Sequence, residues 1–231
     1  MAPAPVVAAD EGELARLAAA WMAEEVKRAV ARSGRCALAL SGGSTPRPAY
    51  ERLAIQDGVP WAAVEIFFGD ERAVRPSDPQ SNYRMAREAL IDRLERAPAA
   101  VHRMEGEDPD LDAAAGRYAA RLPPRLDVLV LGMGPDGHTA SLFPGAATLD
   151  EKERRVVPAT APVPPHRRLT ITPPVIAAAH RVAVLVAGGA KAPLVARALQ
   201  GPWRPAELPA QLAREGTWFL DRAAVAALPP R

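Results

Sequence analysis

Leu126–Gly145 reads LDVLVLGMGPDGHTASLFPG. Its first part, Asp127–Leu131, is a continuous run rich in valine and leucine. A strand buried on both faces of a parallel sheet reads this way. The run stops at Gly132-Met133-Gly134-Pro135-Asp136-Gly137. Three glycines and a proline cannot continue a strand, so the chain turns at its carboxyl end. In open α/β sheets that edge is where ligands sit. The turn delivers His138, Thr139 and Ser141. A histidine held there is placed for proton transfer near neutral pH.

Two other readings compete. The glycines form only a tight turn with His138 idle, or Gly132, Gly134 and Gly137 are a G-x-G-x-x-G dinucleotide fingerprint. The fingerprint needs an acidic residue ending the next strand, about 20 residues on. Thr148–Arg155 lies there, and it is too charged for a buried strand. Pro135 and His138 also stand where a cofactor-binding helix would start. The proton-transfer reading is the one kept.

Upstream, Asp10-Glu11-Gly12-Glu13 has capping-box spacing, and Leu14, Leu17, Ala18, Trp21 and Met22 share one helical face. Gly34 stops that helix. Cys36–Leu40 is a short buried strand ending in Ser41-Gly42-Gly43-Ser44-Thr45-Pro46, and a helix follows through Tyr50 and Leu53. Backbone N–H groups at that helix start, with the Ser44 and Thr45 hydroxyls, make a phosphate cradle. The alternative is an ordinary capped turn. The loop lacks the lysine of a nucleotide P-loop. Ser41 falls one residue short of the G-x-S-x-G elbow of a serine hydrolase.

Val64–Phe68 is the next strand, and its end carries Gly69-Asp70-Glu71-Arg72. A helix follows from about Tyr83 to Leu94, and another from Leu111 to Leu122 precedes the central strand. Asp150–Arg155 reads as a solvated charged segment, and Pro158–Pro165 as a proline-rich connection. Arg168–Thr172 alternates like a half-exposed strand, and Pro173–Ala179 is a short helix. Val182–Ala187 is a buried strand leading to Gly188-Gly189-Ala190-Lys191 and a helix to Leu199. Strand Thr217–Leu220 and helix Asp221–Leu228 close the pattern. The alternation predicts one doubly wound α/β domain over residues 1–231, a mostly parallel sheet with helices on both faces.

Composition limits the function. The chain has 231 residues, 48 % hydrophobic, which suffices for a full core. No apolar run reaches the ~18–20 residues of a membrane span, and Met1–Pro5 lacks the blocks of a signal peptide. Net charge is only +2 and aromatics are 5 %, with no basic block alternating with them, so no nucleic-acid partner is expected. The single cysteine, Cys36, excludes an internal disulfide and a cysteine metal cluster, and fits a reducing cytoplasm. No cluster has metal-ligand spacing, and surface positions are the default for His102, His166 and His180.

In a parallel sheet, Ser41–Thr45, Asp70–Arg72, Asp136–His138 and Lys191 share one edge. They supply an anion cradle, two cations, carboxylates and one histidine. Arg72 is suited to grip a phosphate bidentately, with Lys191 adding a point charge. An ion pair with Asp70 or Glu71 is the plainer role for Arg72, and a solvated helix start for Lys191. The groups point to a phosphorylated polar small molecule and to proton-transfer or hydrolytic chemistry.

Four segments together resemble the 6-phosphogluconolactonase family: LSGGSTP at Leu40–Pro46, GDER at Gly69–Arg72 with SNY at Ser81–Tyr83, LGMGPDGHTASLFPG at Leu131–Gly145, and RLTIT…GGAK from Arg168 to Lys191. The resemblance implies hydrolysis of 6-phospho-D-glucono-1,5-lactone without metal or organic cofactor. It makes His138 the general base, with Asp136 and Asp70 as accessory catalytic groups. It assigns the substrate to Ser41, Gly42, Gly43, Ser44, Thr45, Arg72, Asn82, Arg168 and Lys191. The related glucosamine-6-phosphate deaminases carry a glutamate five residues after this histidine, where Phe143 stands here. A non-catalytic sugar-phosphate sensor is the third expectation on this fold. Backbone N–H groups of the Gly132–Gly137 turn are the candidate oxyanion donors. A cytoplasmic monomer or weak homo-oligomer is expected.

Overall fold

Strand β2, Cys36–Leu40, lies in the interior of the main sheet in the computed structural model, which describes residues 3–228. Every residue of β2 is buried. Its pleat sends Ala37 and Ala39 into one core, and Cys36, Leu38 and Leu40 into another. It pairs in parallel with β3, Val64–Phe68, on one side and β6, Val128–Gly132, on the other. The full sheet adds β5, Ala100–Val101, beyond β3, and β9, Arg181–Val186, β10, Thr217–Asp221, and β1, Val6–Ala8, beyond β6. All of its pairings are parallel.

Helices cover both faces. Residues of α1, Glu11–Ser33, α2, Pro46–Leu53, and α3, Asn82–Ala89, pack on one side. Those of α4, Leu111–Arg121, α5, Pro173–Ala178, and α6, Ala192–Gln200, pack on the other. The cap forms as the spacing predicts on one side only, because the returning glutamate bonds the residue before the cap. Asp10 accepts from the Glu13 N–H at 2.8 Å, and the Glu13 carboxylate reaches back to the Ala9 N–H at 2.7 Å.

The chain winds outward from β2 to β3 and β5, then returns past β2 to β6, β9 and β10. The winding reverses between β2 and β6, and the carboxyl ends of these two strands flank the crevice that results.

A second, antiparallel sheet projects from this edge, with order β4-β8-β7: β4, Asp70–Arg72; β8, Arg167–Ile171; and β7, Val156–Thr160. Asp70–Arg72, read from the sequence only as the charged end of the preceding strand, is itself a strand. The sheet also corrects two sequence expectations. The proline-rich connection begins as a strand, because Pro158 lies on the edge strand β7, where a missing N–H is tolerated. Arg168–Ile171 is buried and not half-exposed, since β8 lies between two neighbours. The helix expected over Asp221–Leu228 is a series of turns. Asp221 accepts from Ala224 N–H at 2.7 Å, and the bonds that follow are of i→i+3 type. Pro229 and Pro230, next in sequence, also oppose helical continuation. Helix α3 ends at Ala89, and a single 3-10 turn, Ile91–Arg93, follows.

Candidate active site

Two buried tyrosines fix the strand ends that bear the site. Tyr50 accepts from the Ser41 N–H at 2.9 Å and donates to the Ser41 carbonyl at 3.0 Å. Tyr118 does the same for Phe68, at 2.7 and 2.9 Å. Each hydroxyl satisfies both backbone groups of a residue leaving the sheet, where the ladder no longer does. Burial pushes both phenols well above the usual tyrosine range.

A cleft of about 390 Å³ opens at the crevice between β2 and β6. Ser41, Gly42, Gly43, Ser44, Thr45, Asp70, Arg72, Asn82, His138, Arg168 and Lys191 all line it. Asp136 stands behind His138. The cleft thus gathers the sequence-predicted groups from both sheets.

The His138 turn is built around its ring. Asp136 Oδ1 lies 2.5 Å from His138 Nδ1 and also accepts the His138 N–H at 3.1 Å. With a carboxylate as acceptor, the neutral ring keeps its proton on Nδ1 and a lone pair on Nε2. A Cβ at Gly134 would lie 2.0 Å from His138 Cε1, so only glycine lets the turn close over the imidazole. Phe143 packs on the ring, with centroids 4.7 Å apart. The Gly134 N–H donates to the His138 carbonyl and the Gly137 N–H to the Gly134 carbonyl. Those two N–H groups are therefore engaged within the turn and do not serve as oxyanion donors.

Asp70, an accessory catalytic group in the sequence reading, is held by the fold through both oxygens. Its two oxygens accept from Asn82 Nδ2 at 3.0 Å and from Ser141 Oγ at 2.6 Å. It ties the His138 turn to the start of α3. Glu71 accepts four hydrogen bonds, from Arg72, Asn82 and Tyr83 N–H groups and from Ser81 Oγ. Burial pushes its carboxyl up, against the pull of those bonds. Arg72 makes no ion pair with either acid among the described residues. It donates to the Gln80 carbonyl, and its Nε is buried without a partner.

The cationic end comes from three elements. Arg168 is 8 % exposed and donates through Nε to the Pro165 carbonyl at 2.7 Å. Burial, and then the nearby Arg72, lower its pKa. Burial likewise lowers Lys191, with Glu11 and Asp221 opposing. The N–H groups of Gly42, Gly43, Ser44 and Thr45 donate to no protein group among the described residues. Helix α2 starts directly after them at Pro46. These groups together suit an anion.

Sequence reasoning missed the Val163-Pro164-Pro165 lip, the Gln80 carbonyl under Arg72 and the roles of Tyr50 and Tyr118. A large polar aromatic inside an apolar pattern was the available signal, since a buried hydroxyl needs a partner. Of the other histidines, His166 and His180 are exposed. His102 is partly buried, stacked on Phe67 at 4.5 Å and 2.8 Å from Glu65. Cys36 is buried, and burial pushes its thiol up to about 12.

The family model for glucosamine-6-phosphate isomerases/6-phosphogluconolactonase matches residues 9–220. The chain belongs to this family. A 6-phosphogluconolactonase of Nostoc sp. is 38% identical over 213 residues, covering 87% of this chain and 88% of the relative. One from Streptomyces coelicolor is 36% identical, with 98% and 95% covered. The crystal structure of a 6-phosphogluconolactonase from Shewanella baltica superposes with a TM-score of 0.84 at 28% identity, covering 96% of this chain and 98% of that one. The family's α/β fold is the one described above. No helix among the described residues is long and apolar enough to cross a membrane.

Proposed function

We propose that this chain hydrolyses 6-phospho-D-glucono-1,5-lactone to 6-phospho-D-gluconate, acting as one catalytic unit over residues 1–231. The observation that carries this reading is His138, held by Asp136 through Nδ1, in the same cleft as Arg72, Arg168 and Lys191. The names of the full-length relatives point the same way.

In this reading the phosphate binds Arg72, Arg168, Lys191 and the N–H groups of Gly42–Thr45. Fixing that end places the lactone carbonyl carbon at His138. Nε2 takes a proton from water, and the hydroxide oxygen bonds to the carbonyl carbon. Asp136 stabilises the imidazolium. As the tetrahedral intermediate collapses, the bond from carbon to ring oxygen breaks, and the imidazolium returns the proton to that oxygen. Asp70 holds the turn through Ser141 and takes no proton. Phe143 closes the position from which a deaminase's glutamate would act. The enzyme works in the cytoplasm as a monomer or weak homo-oligomer.

The test is a pH-stat assay on fresh lactone, corrected for spontaneous hydrolysis. Acid release well above the blank supports the reading, and release equal to the blank contradicts it.

A further inference from the structure

Strands β9 and β10 pair in register as far as Val186 and Leu220. One residue further, Asp221 ends β10 and is 6 % exposed. Its carboxylate crosses to the segment leaving β9 and accepts the Gly188 N–H with both oxygens, at 3.1 Å each. Oδ1 also accepts the Ala224 N–H at 2.7 Å. All of these bonds are to backbone, and no cation pairs with Asp221 among the described residues.

Gly188 opens the turn that brings Lys191 to the cleft. Its φ of 95° is one that residues with side chains rarely adopt. Its carbonyl accepts the Lys191 N–H at 3.1 Å, and Gly189–Lys191 is a single 3-10 turn leading into α6. The Asp221 carboxylate, Gly188 and the Lys191 backbone thus form one hydrogen-bonded path. Lys191 is partly buried and lines the cleft. A lysine is a flexible point charge, so where its backbone is held decides what its ammonium reaches. A buried carboxylate is costly without a cation beside it. Capping the last turn through Ala224 does not require one. Ser81 caps α3 in the same i→i+3 manner, its Oγ accepting the Arg84 N–H at 3.2 Å. Only the bond to Gly188 needs the longer acid.

We infer that Asp221 is a positioning residue: by holding the Gly188 N–H it fixes the Gly188–Lys191 turn and so sets Lys191 against the phosphate of the substrate. It touches no substrate itself. This rests on the lactonase reading and adds the group that aims one of the three cations.

The experiment is a double-mutant cycle on 6-phosphogluconolactone at neutral pH, with kcat and KM measured separately. Asp221→Ser keeps an acceptor for Ala224 and releases Gly188. It should raise KM by about 5- to 20-fold and leave kcat within about 2-fold. In a Lys191→Ala background the same change should alter KM by no more than about 2-fold, because it acts through the lysine. Asp221→Asn, whose side-chain oxygen still accepts from Gly188, should stay near the wild type. If Asp221→Ser does not fold, Asp221→Glu, which moves the carboxylate by one methylene, is read the same way. An unchanged KM in Asp221→Ser would overturn the inference, and so would equal losses in both backgrounds, the mark of a merely structural role. Asp221→Asn as impaired as Asp221→Ser would also overturn it. All three outcomes leave the lactonase reading intact. An unchanged KM in Lys191→Ala would remove Lys191 from the phosphate and the inference with it. A wild type inactive on the lactone would overturn both readings.

Discussion

Arg72 and Arg168 face each other as register partners across β4 and β8. Opposed residues of an antiparallel pair share a face, and like charges there repel. A buried Arg168 and a half-buried Arg72 so placed lower the stability of the empty protein and favour an anion between them. Arg72→Ala should therefore weaken the phosphorylated lactone by about 1.5–3 kcal/mol, a rise in KM of roughly 10- to 150-fold. Unphosphorylated gluconolactone should hardly notice the change. Equal losses on both substrates would remove Arg72 from the phosphate.

In the proposed reading, Lys191 makes the phosphate end sensitive to alkali. Only the ammonium form attracts the phosphate, and burial makes Lys191 release its proton at lower pH than an ordinary lysine. Affinity for 6-phosphogluconate should then fall as pH rises, beginning at lower pH than an ordinary lysine would allow. Lys191→Arg, which stays charged, should flatten the dependence. Calorimetric titration of the product checks this, and a flat wild-type profile would contradict it.

The sequence displayed the main sheet because its strands are buried on both faces. Cys36–Leu40 and Val182–Ala187 are apolar runs, and Val64–Phe68 is one but for Glu65, each ending in glycine or a polar turn. The second sheet was not legible in the same way. Asp70–Arg72 is three residues of charge, and Pro158 reads as a breaker unless its strand is known to lie on an edge. Strand β1 is three residues whose pairing with β10 joins opposite ends of the chain. In the cleft, chemistry-bearing residues stood out by type and position at strand ends. The bonding of Asp70 and the reach of Asp221 to Gly188 depend on contacts between distant segments, which local pattern does not encode.

Glu71 is a structural acid. Its removal leaves three backbone N–H groups and a serine hydroxyl without their acceptor. Glu71→Ala should cost more than about 3 kcal/mol and lower Tm by roughly 6 °C or more. Thermal and urea unfolding measure it. A loss within about 1 kcal/mol would mean that water replaces the carboxylate without penalty.

Phe143 separates the lactonase from a deaminase. Its ring packs on His138 and offers no carboxylate for ring opening. Glucosamine 6-phosphate should yield no ammonia above background in a coupled assay. Steady ammonia release would reverse the assignment.

The His138–Asp136 pair is the centre of the account. A general base contributes typically ~10²–10⁴-fold, so His138→Asn should lower kcat by about that factor. Product affinity should scarcely change, because Arg72, Arg168 and Lys191 remain. The direct measurement is kcat of folded His138→Asn on 6-phosphogluconolactone, corrected for spontaneous hydrolysis. A fall of at least about 100-fold with product binding intact is the predicted result, and near-wild-type turnover would contradict it.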